Sequence, residues 1–360
     1  MKYIFPILIV LFSACANQSA DETKKNHQKI KESIEILGST QGTTYAIVVN
    51  DPIEITKAEV DAIFANFDRA LSGYIDSSVV TQLNQSAAGD FYYQDPYNYF
   101  NRCYQLAQEV YANTNGDFDP TVFPLVDGWG FMKNVDVVPD SARVQELRAL
   151  LGFHQNKHFT FYTVTDSNGV SSSLNHINKK TPGAKLDFNA IAQGLSVDVI
   201  AEEIERRGGE NYYVEIGGEI RVKGRNSDDV HWRIGIDKPI DHSNEETRVL
   251  QEVVQLQDVS IATSGNYRKF YEKNGVRYSH TLDPKTGYPV THSLLSATVV
   301  AENCALADAM ATAFMVKGTE KTKAFLKNRP ELNLEVYLIY TDQDGAYKTY
   351  ATPGFNELLD

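Results

Sequence analysis

The hydrophobic pattern changes period near the middle of this chain, and that change constrains the fold more than any other feature. Before Gly208-Gly209 the apolar residues recur mostly at helical spacing. Thr56 to Leu71 carries Val60, Ile63, Phe64, Phe67 and Leu71 as one stripe, and Thr56 with Glu59 makes a capping box. Further helices are expected from about Tyr97 to Asn113, from Ser141 to Leu151, and from Lys185 to Arg207, the last stopped by the two glycines. Gly42–Asn50 is a strand, and Gly116–Phe131, dense in Gly, Pro and aromatics, is a loop. After Gly209 come short strand-like runs: Tyr212–Ile216, Ile220–Gly224, Trp232–Asp237, Val253–Gln257, Ser260–Thr263, Ser296–Ala301, Leu334–Thr341 and Tyr347–Ala351. Helices from Ala305 to Val316 and from Thr319 to Asn328 lie among them. A helical first half and a strand-rich second half predict an α+β fold, as one large domain or two intimate lobes over residues 36–356.

The first residues form a different unit. A basic start, an apolar run from Tyr3 to Phe12 and small residues before Cys15 make an export signal over residues 1–14. Leu11-Phe12-Ser13-Ala14-Cys15 resembles a lipobox, in which Cys15 becomes the lipidated N-terminus. The alternative is an ordinary signal peptide with an incidental cysteine. Residues 15–35 are polar, charged and aperiodic, and predict a flexible tether. The expected location is the periplasmic side of a bacterial membrane, held by lipid.

A formal charge of −13 argues against nucleic acid, which requires a basic face. A phosphate-bearing ligand would need local help from a metal ion or from backbone N–H groups. Twenty tyrosines and 17 phenylalanines suit a carbohydrate binder or a flavin binder equally. Cys103 and Cys304 have no metal-ligand spacing and are expected to be buried thiols.

Several segments carry candidate chemistry. Tyr278-Ser-His-Thr-Leu-Asp-Pro-Lys-Thr-Gly-Tyr-Pro289 sets His280 three residues before Asp283 and turns through Pro284 and Gly287. Such a turn can hold an imidazole and a carboxylate at a cleft. On the following helix Asp308 and Thr312 are the two strong polar side chains, at i and i+4 on one apolar helix, which suits a hard cation. Asp187-Phe-Asn-Ala-Ile-Ala-Gln-Gly194 is read as a helix opening, with Asp187 as cap or as ligand contact. Gly194, costly inside a helix, would admit a close approach, and Gln193 adds an amide, so a nucleotide fits there. Ile216-Gly-Gly-Glu-Ile220 is a hairpin first and a ligand approach second. Ser264, outside any nucleophile elbow, reads as a ligand contact or turn residue. Gly116-Asp-Phe-Asp-Pro-Thr121 lacks the later ligands of a calcium loop; it makes a rigid turn in which Phe118 can stack on a planar ring, with Trp129 nearby as core.

With these segments together the chain resembles the ApbE family of FAD:protein FMN transferases. The blocks GTTY, LSGYIDSSVVTQLN, GDFDPTVFPLVDGWGF, DFNAIAQGLSVD, GGE, ATSGNYR, HTLDPKTGYP and ALADAMAT occur in order. The resemblance implies an ApbE-like fold and FAD held by Tyr74, Asp117-Phe118-Asp119, Asp187, Gln193 and the backbone near Leu282. It also implies Mg²⁺ bound by the Ala190 carbonyl, Asp308 and Thr312. Ala311 stands where some relatives carry a second acid, so fewer carboxylates and more water are expected on the metal. The implied reaction moves FMN from FAD to a Thr or Ser hydroxyl of a partner protein and releases AMP, with His280 as base and Asp283 orienting it or bounding the turn. The alternatives are an FAD pyrophosphatase and a non-catalytic flavin-binding lipoprotein.

Overall fold

The structure is a computed structural model. It describes residues 33–131, 138–154, 157–162, 174–240, 247, 249–266, 270–273 and 276–360. Cys15, the signal and most of the tether lie outside the described residues. Glu32–Asp360 forms one compact unit.

The described chain begins with the hairpin β1 (Ile34–Thr40) and β2 (Thr43–Val49). Gln41 and Gly42, both with positive φ (51° and 77°), make the two-residue turn that suits a twisted hairpin. β1 starts two residues inside the expected tether and was not visible in the sequence pattern. α1 (Lys57–Leu71) has the expected capping box, with the Thr56 side chain and the Glu59 backbone N–H joined and the reciprocal bond present. α2 (Val79–Gln85), β3 (Gly89–Gln94), α3 (Tyr99–Thr114), α4 (Phe123–Gly128) and α5 (Ser141–Arg148) follow, then β4 (Phe159–Tyr162) and β5 (Leu174–Lys179). α4 falls within the expected Gly116–Phe131 loop, where Pro124 sits in the first turn and fits a helix start.

The second half holds α6 (Ala192–Arg206), β6 (Tyr212–Ile216), β7 (Glu219–Lys223), β8 (Trp232–Asp237), β9 (Leu250–Leu256) and β10 (Val259–Gly265). Next come β11 (Phe270–Lys273), β12 (Val276–Ser279), β13 (Leu294–Ala301), α7 (Cys304–Lys317) and α8 (Thr319–Asn328). β14 (Glu335–Thr341), β15 (Tyr347–Ala351) and α9 (Pro353–Leu358) close the chain. Asp360 still donates its backbone N–H to Val253, so order extends past the expected boundary at 356.

An antiparallel sheet runs β1-β2-β6-β7-β10-β13-β14-β15. Side chains alternate between its faces, and both faces are covered. Ala262, Ala297, Val299, Val336 and Leu338 join the core that contains α7. Ile261, Val300, Tyr337 and Ile339 point the other way, into a core with β8, β9 and Phe355 of α9. Smaller sheets pair β3-β5-β4, β8-β9 and β11-β12. The α+β expectation therefore holds. α7 is buried on nearly every side, and its run of alanines lets neighbours approach closely. Cys103 and Cys304 are free and buried, as expected.

Candidate active site

Helix α7 is fixed at its start. Asn303 caps it by accepting the Leu306 N–H at 2.9 Å. From α6, the buried Asp198 carboxylate accepts the Cys304 and Ala305 N–H groups at 2.9 Å each, and Arg221 donates to it at 3.0 Å. Asp198 thus satisfies donors that a helix start leaves open. Its role was not seen in the sequence, although the acid in the block GLSVD was the available signal.

Gly194 explains the closeness of the two helices. A Cβ there would stand 2.4 Å from the Cys304 carbonyl oxygen, so only glycine permits this crossing. The close approach expected at Gly194 is real, but the group that approaches is α7. The Gly194 N–H donates to Asp308 Oδ2 at 3.1 Å. Asp308 is 6% exposed. Burial, with some help from the charge of Asp198, pushes its carboxyl up to about 7, against the pull of the Gly194 N–H. One turn on, Thr312 Oγ1 lies 3.1 Å from Ser264 Oγ of β10. Ser264, read from the sequence as a ligand contact or turn residue, is thus a hydroxyl partner of Thr312.

These oxygens fit a hard divalent cation. The oxygens present are the Asp308 carboxylate and the Thr312 and Ser264 hydroxyls, and a carboxylate this deep lacks a full counter-charge. No group of three His, Cys, Asp or Glu side chains gathers as a metal cluster among the described residues. A metal here would rest on the single carboxylate of Asp308 together with neutral oxygens.

The segment before α6 departs from expectation. The helix begins at Ala192, with Ile191 as N-cap, so Asp187 neither opens nor caps it. Tertiary partners take the backbone groups instead. Asn84 of α2 brackets Leu186, donating to its carbonyl at 2.8 Å and accepting its N–H at 2.7 Å. The Asp187 N–H goes to the Pro120 carbonyl. The Asp187 side chain accepts the Asn189 N–H at 2.9 Å, a turn that leads Ala190 toward the helix. Burial raises the Asp187 carboxyl, and the Asn189 N–H opposes the shift. Tyr74, 74% exposed, stands beside Asp187 and Asn189. Tyr74 and Asp187, distant in sequence, are therefore brought together. Their ring, carboxylate and neighbouring amide suit a flat heterocycle.

Gln193 lies on the other side of α6's first turn. Its Nε2 donates to the Ile216 carbonyl at 2.8 Å and to the Glu219 carboxylate. Glu219, another residue not singled out in the sequence, lies near enough for the charge of Asp308 to raise its carboxyl further, after burial.

The Asp117–Asp119 loop is internally bound. Asp117 pairs with Lys285 at 2.6 Å and with Lys317. Asp119 accepts from the Thr121 backbone at 2.8 Å and from its hydroxyl, and burial raises its carboxyl. The expected stacking role of Phe118 is corrected: the residue is 3% exposed and packed within the core. Trp129 is core, as expected, and its Nε1 donates to the Gly287 carbonyl at 2.9 Å.

That bond anchors the His280–Pro289 turn. Gly287 donates its N–H to the Asp283 carbonyl at 2.7 Å, and Leu282, bridged to Pro289, is buried with Trp129 and Val144. The Asp283 carboxylate accepts the Lys285 N–H at 2.8 Å, so it bounds the turn. His280 is partly buried where β12 enters this turn. Beside Pro284 and Lys285 opens a cavity of about 310 Å³ with Arg148, Lys157 and Asp119 on its walls. Its basic side chains supply local positive charge that the net acidity of the chain does not.

Comparison with known proteins now decides the family. The family model described as the ApbE family matches residues 41–338. The chain belongs to the ApbE family. It is 34% identical over 342 residues to the FAD:protein FMN transferase of Vibrio cholerae, covering 92% of this chain and 94% of that one. It is 33% identical over 343 residues to the FAD:protein FMN transferase of Haemophilus influenzae, covering 92% and 93%. Among solved structures, the flavin transferase ApbE from Vibrio cholerae aligns with a TM-score of 0.76 at 35% identity, covering 91% of this chain and 99% of that one. The apo form of the Pseudomonas stutzeri flavinyl transferase ApbE gives 0.75 at 31% identity, covering 91% and 96%.

Proposed function

We propose that this ApbE-family protein is a transferase that moves FMN from FAD onto a Thr or Ser hydroxyl of a partner protein, releasing AMP. The observation that carries the reading is that Asp308, which accepts the Gly194 N–H, and Thr312, which meets Ser264, lie one turn apart on α7, in a chain whose relatives bear this activity in their names. Asp308, Thr312 and the Ala190 carbonyl would hold Mg²⁺. When bound, the cation neutralises charge on the pyrophosphate and the leaving phosphate. Tyr74, Asp187 and Gln193 bind and orient FAD. The acceptor oxygen forms a bond to the phosphorus of the FMN half, and the bond from that phosphorus to the AMP oxygen breaks. His280 takes the proton of the hydroxyl, and Asp283 keeps the turn that presents it.

The protein is further proposed to act on the periplasmic side of a bacterial membrane, anchored through a lipidated Cys15. The lipobox-like sequence before Cys15 supports this part.

The test is incubation with FAD, Mg²⁺ and a candidate acceptor, followed by mass analysis of the acceptor and assay of AMP. A gain of one FMN per acceptor with matching AMP supports the reading. AMP release without a labelled acceptor would instead make the protein a pyrophosphatase. FAD binding without AMP would make it a flavin-binding protein. In the transfer assay His280→Ala is expected to slow turnover roughly 10²–10⁴-fold while FAD binding persists.

A further inference from the structure

The hairpin joining β6 to β7 is shaped around the amide of Gln193. Gly217 and Gly218 turn it with φ of 64° and 107°. A Cβ on Gly217 would stand 2.1 Å from Gln193 Nε2 and 2.8 Å from Thr43 Cγ2, so a larger residue would push the Gln193 amide out of place, and the positive φ favours glycine. Across the turn Ile216 and Glu219 are register partners. The Ile216 carbonyl and the Glu219 carboxylate both accept from Nε2. An amide of opposite orientation would set its oxygen against the Ile216 carbonyl, which can only accept, so the nitrogen faces the hairpin. Both Nε2 hydrogens are then used. Oε1 accepts nothing among the described residues and is not sealed from solvent.

We infer that Glu219 is a positioning residue that fixes the Gln193 amide with its oxygen outward, so that this part of the site recognises a hydrogen-bond donor on FAD. The inference rests on the proposed role of Gln193 in FAD binding. FAD offers such donors in the imide N–H of the flavin, the amino group of adenine and the sugar hydroxyls. Its pyrophosphate oxygens are acceptors only, so Gln193 does not face them. Glu219 does not touch the ligand and acts through Gln193.

The experiment measures FAD affinity by fluorescence titration, together with KM, kcat and Mg²⁺ affinity, in full-length variants. Gln193→Ala and Glu219→Ala are each expected to weaken FAD binding about tenfold, the loss of one fixed hydrogen bond. The double variant is expected to bind no worse than Gln193→Ala alone, because the second change removes nothing further. Glu219→Gln is expected within about threefold of wild type, since its carbonyl still accepts from Nε2. The exchanged pair Gln193→Glu with Glu219→Gln is expected to recover affinity that Gln193→Glu alone loses, which keeps a test in hand if Glu219→Ala does not fold.

Additive losses in the double variant, or unchanged FAD affinity in Glu219→Ala, would overturn the inference. So would a loss of Mg²⁺ affinity shared by Glu219→Ala and Glu219→Gln, which would mark a direct metal contact. Wild-type protein that binds no FAD would overturn both this inference and the function on which it rests. Intact FAD binding with an indifferent Glu219 would overturn this inference alone.

Discussion

Asp308 shows how one residue type takes its chemistry from its surroundings. On a surface helix it would be an ordinary acid. Here burial, helped by the nearby charge of Asp198 and opposed by a single N–H partner, pushes its carboxyl up to about 7. In the unfolded chain the same carboxyl titrates near ~3.9. Between these values the folded, metal-free protein holds a proton that the unfolded chain has lost. Its contribution to stability therefore falls as pH rises from about 4 to about 7. Asp308→Asn is expected to flatten this slope, and thermal unfolding of metal-free protein across that range measures it. The same variant is expected to lose Mg²⁺ affinity by roughly 10–100-fold or more, the range found when even outer-shell partners are removed. Titration calorimetry with Mg²⁺ reads this without turnover. An unchanged slope and unchanged Mg²⁺ binding would remove Asp308 from the metal site.

At the scale of elements, the sequence was most legible where one face meets a core. α1 and its capping box, α6 after its true start, α8 and most strands of the large sheet follow their periodicities, whereas α7, buried on nearly every side, shows as a continuous apolar run. Legibility failed where tertiary partners replace local ones. Lys185–Ile191 has helical apolar spacing, yet Asn84 and Pro120 take the backbone groups of Leu186 and Asp187, and a turn at 189–191 precedes the helix. α2, the source of Asn84, spans only Val79–Gln85, too short for a stripe to stand out. Its C-terminal carbonyls are gathered by the buried Lys179 of β5, whose Nζ donates to Leu83, Asn84 and Ser86 at 2.9–3.0 Å. No local pattern reports such a partner almost a hundred residues away. The candidate site followed the same rule: Asp308, Thr312, Asp187 and Ser264 were legible as residue types in their own segments. Asp198 and Glu219 have roles only through the elements packed on them. Asn84→Ala is expected to cost about 1–3 kcal/mol of stability, because two backbone groups of Leu186 lose their partner. It is also expected to weaken FAD binding as the Asp187 segment loosens. Denaturant unfolding and FAD titration test the two parts separately.

At the scale of the molecule, three regions meet at one carboxylate. Asp117 belongs to the loop after α3. Lys285 belongs to the turn below His280, and Lys317 closes α7, the helix that carries Asp308. Lys285 is 47% exposed and its pair is screened by solvent, so it contributes little alone. Lys317 is 11% exposed, and its ammonium also reaches the Thr114 carbonyl at 3.3 Å. Removing the acid therefore leaves a mostly buried cation with only neutral partners, the Thr114 carbonyl and the face of the Phe325 ring. Breaking a buried pair on one side typically costs about 3–5 kcal/mol, and partial exposure puts Asp117→Asn toward the lower end of that range. Lys317→Met in the same chain removes the stranded charge and keeps most of the side chain's volume, so the double variant is expected to be more stable than Asp117→Asn alone. Denaturant midpoints of the wild type, both single variants and the double variant measure this coupling. If the carboxylate fixes the three regions relative to one another, the double variant recovers stability without recovering transfer rate. Full recovery of both would reduce Asp117 to a local ion pair, and an Asp117→Asn variant as stable as wild type would deny it either role.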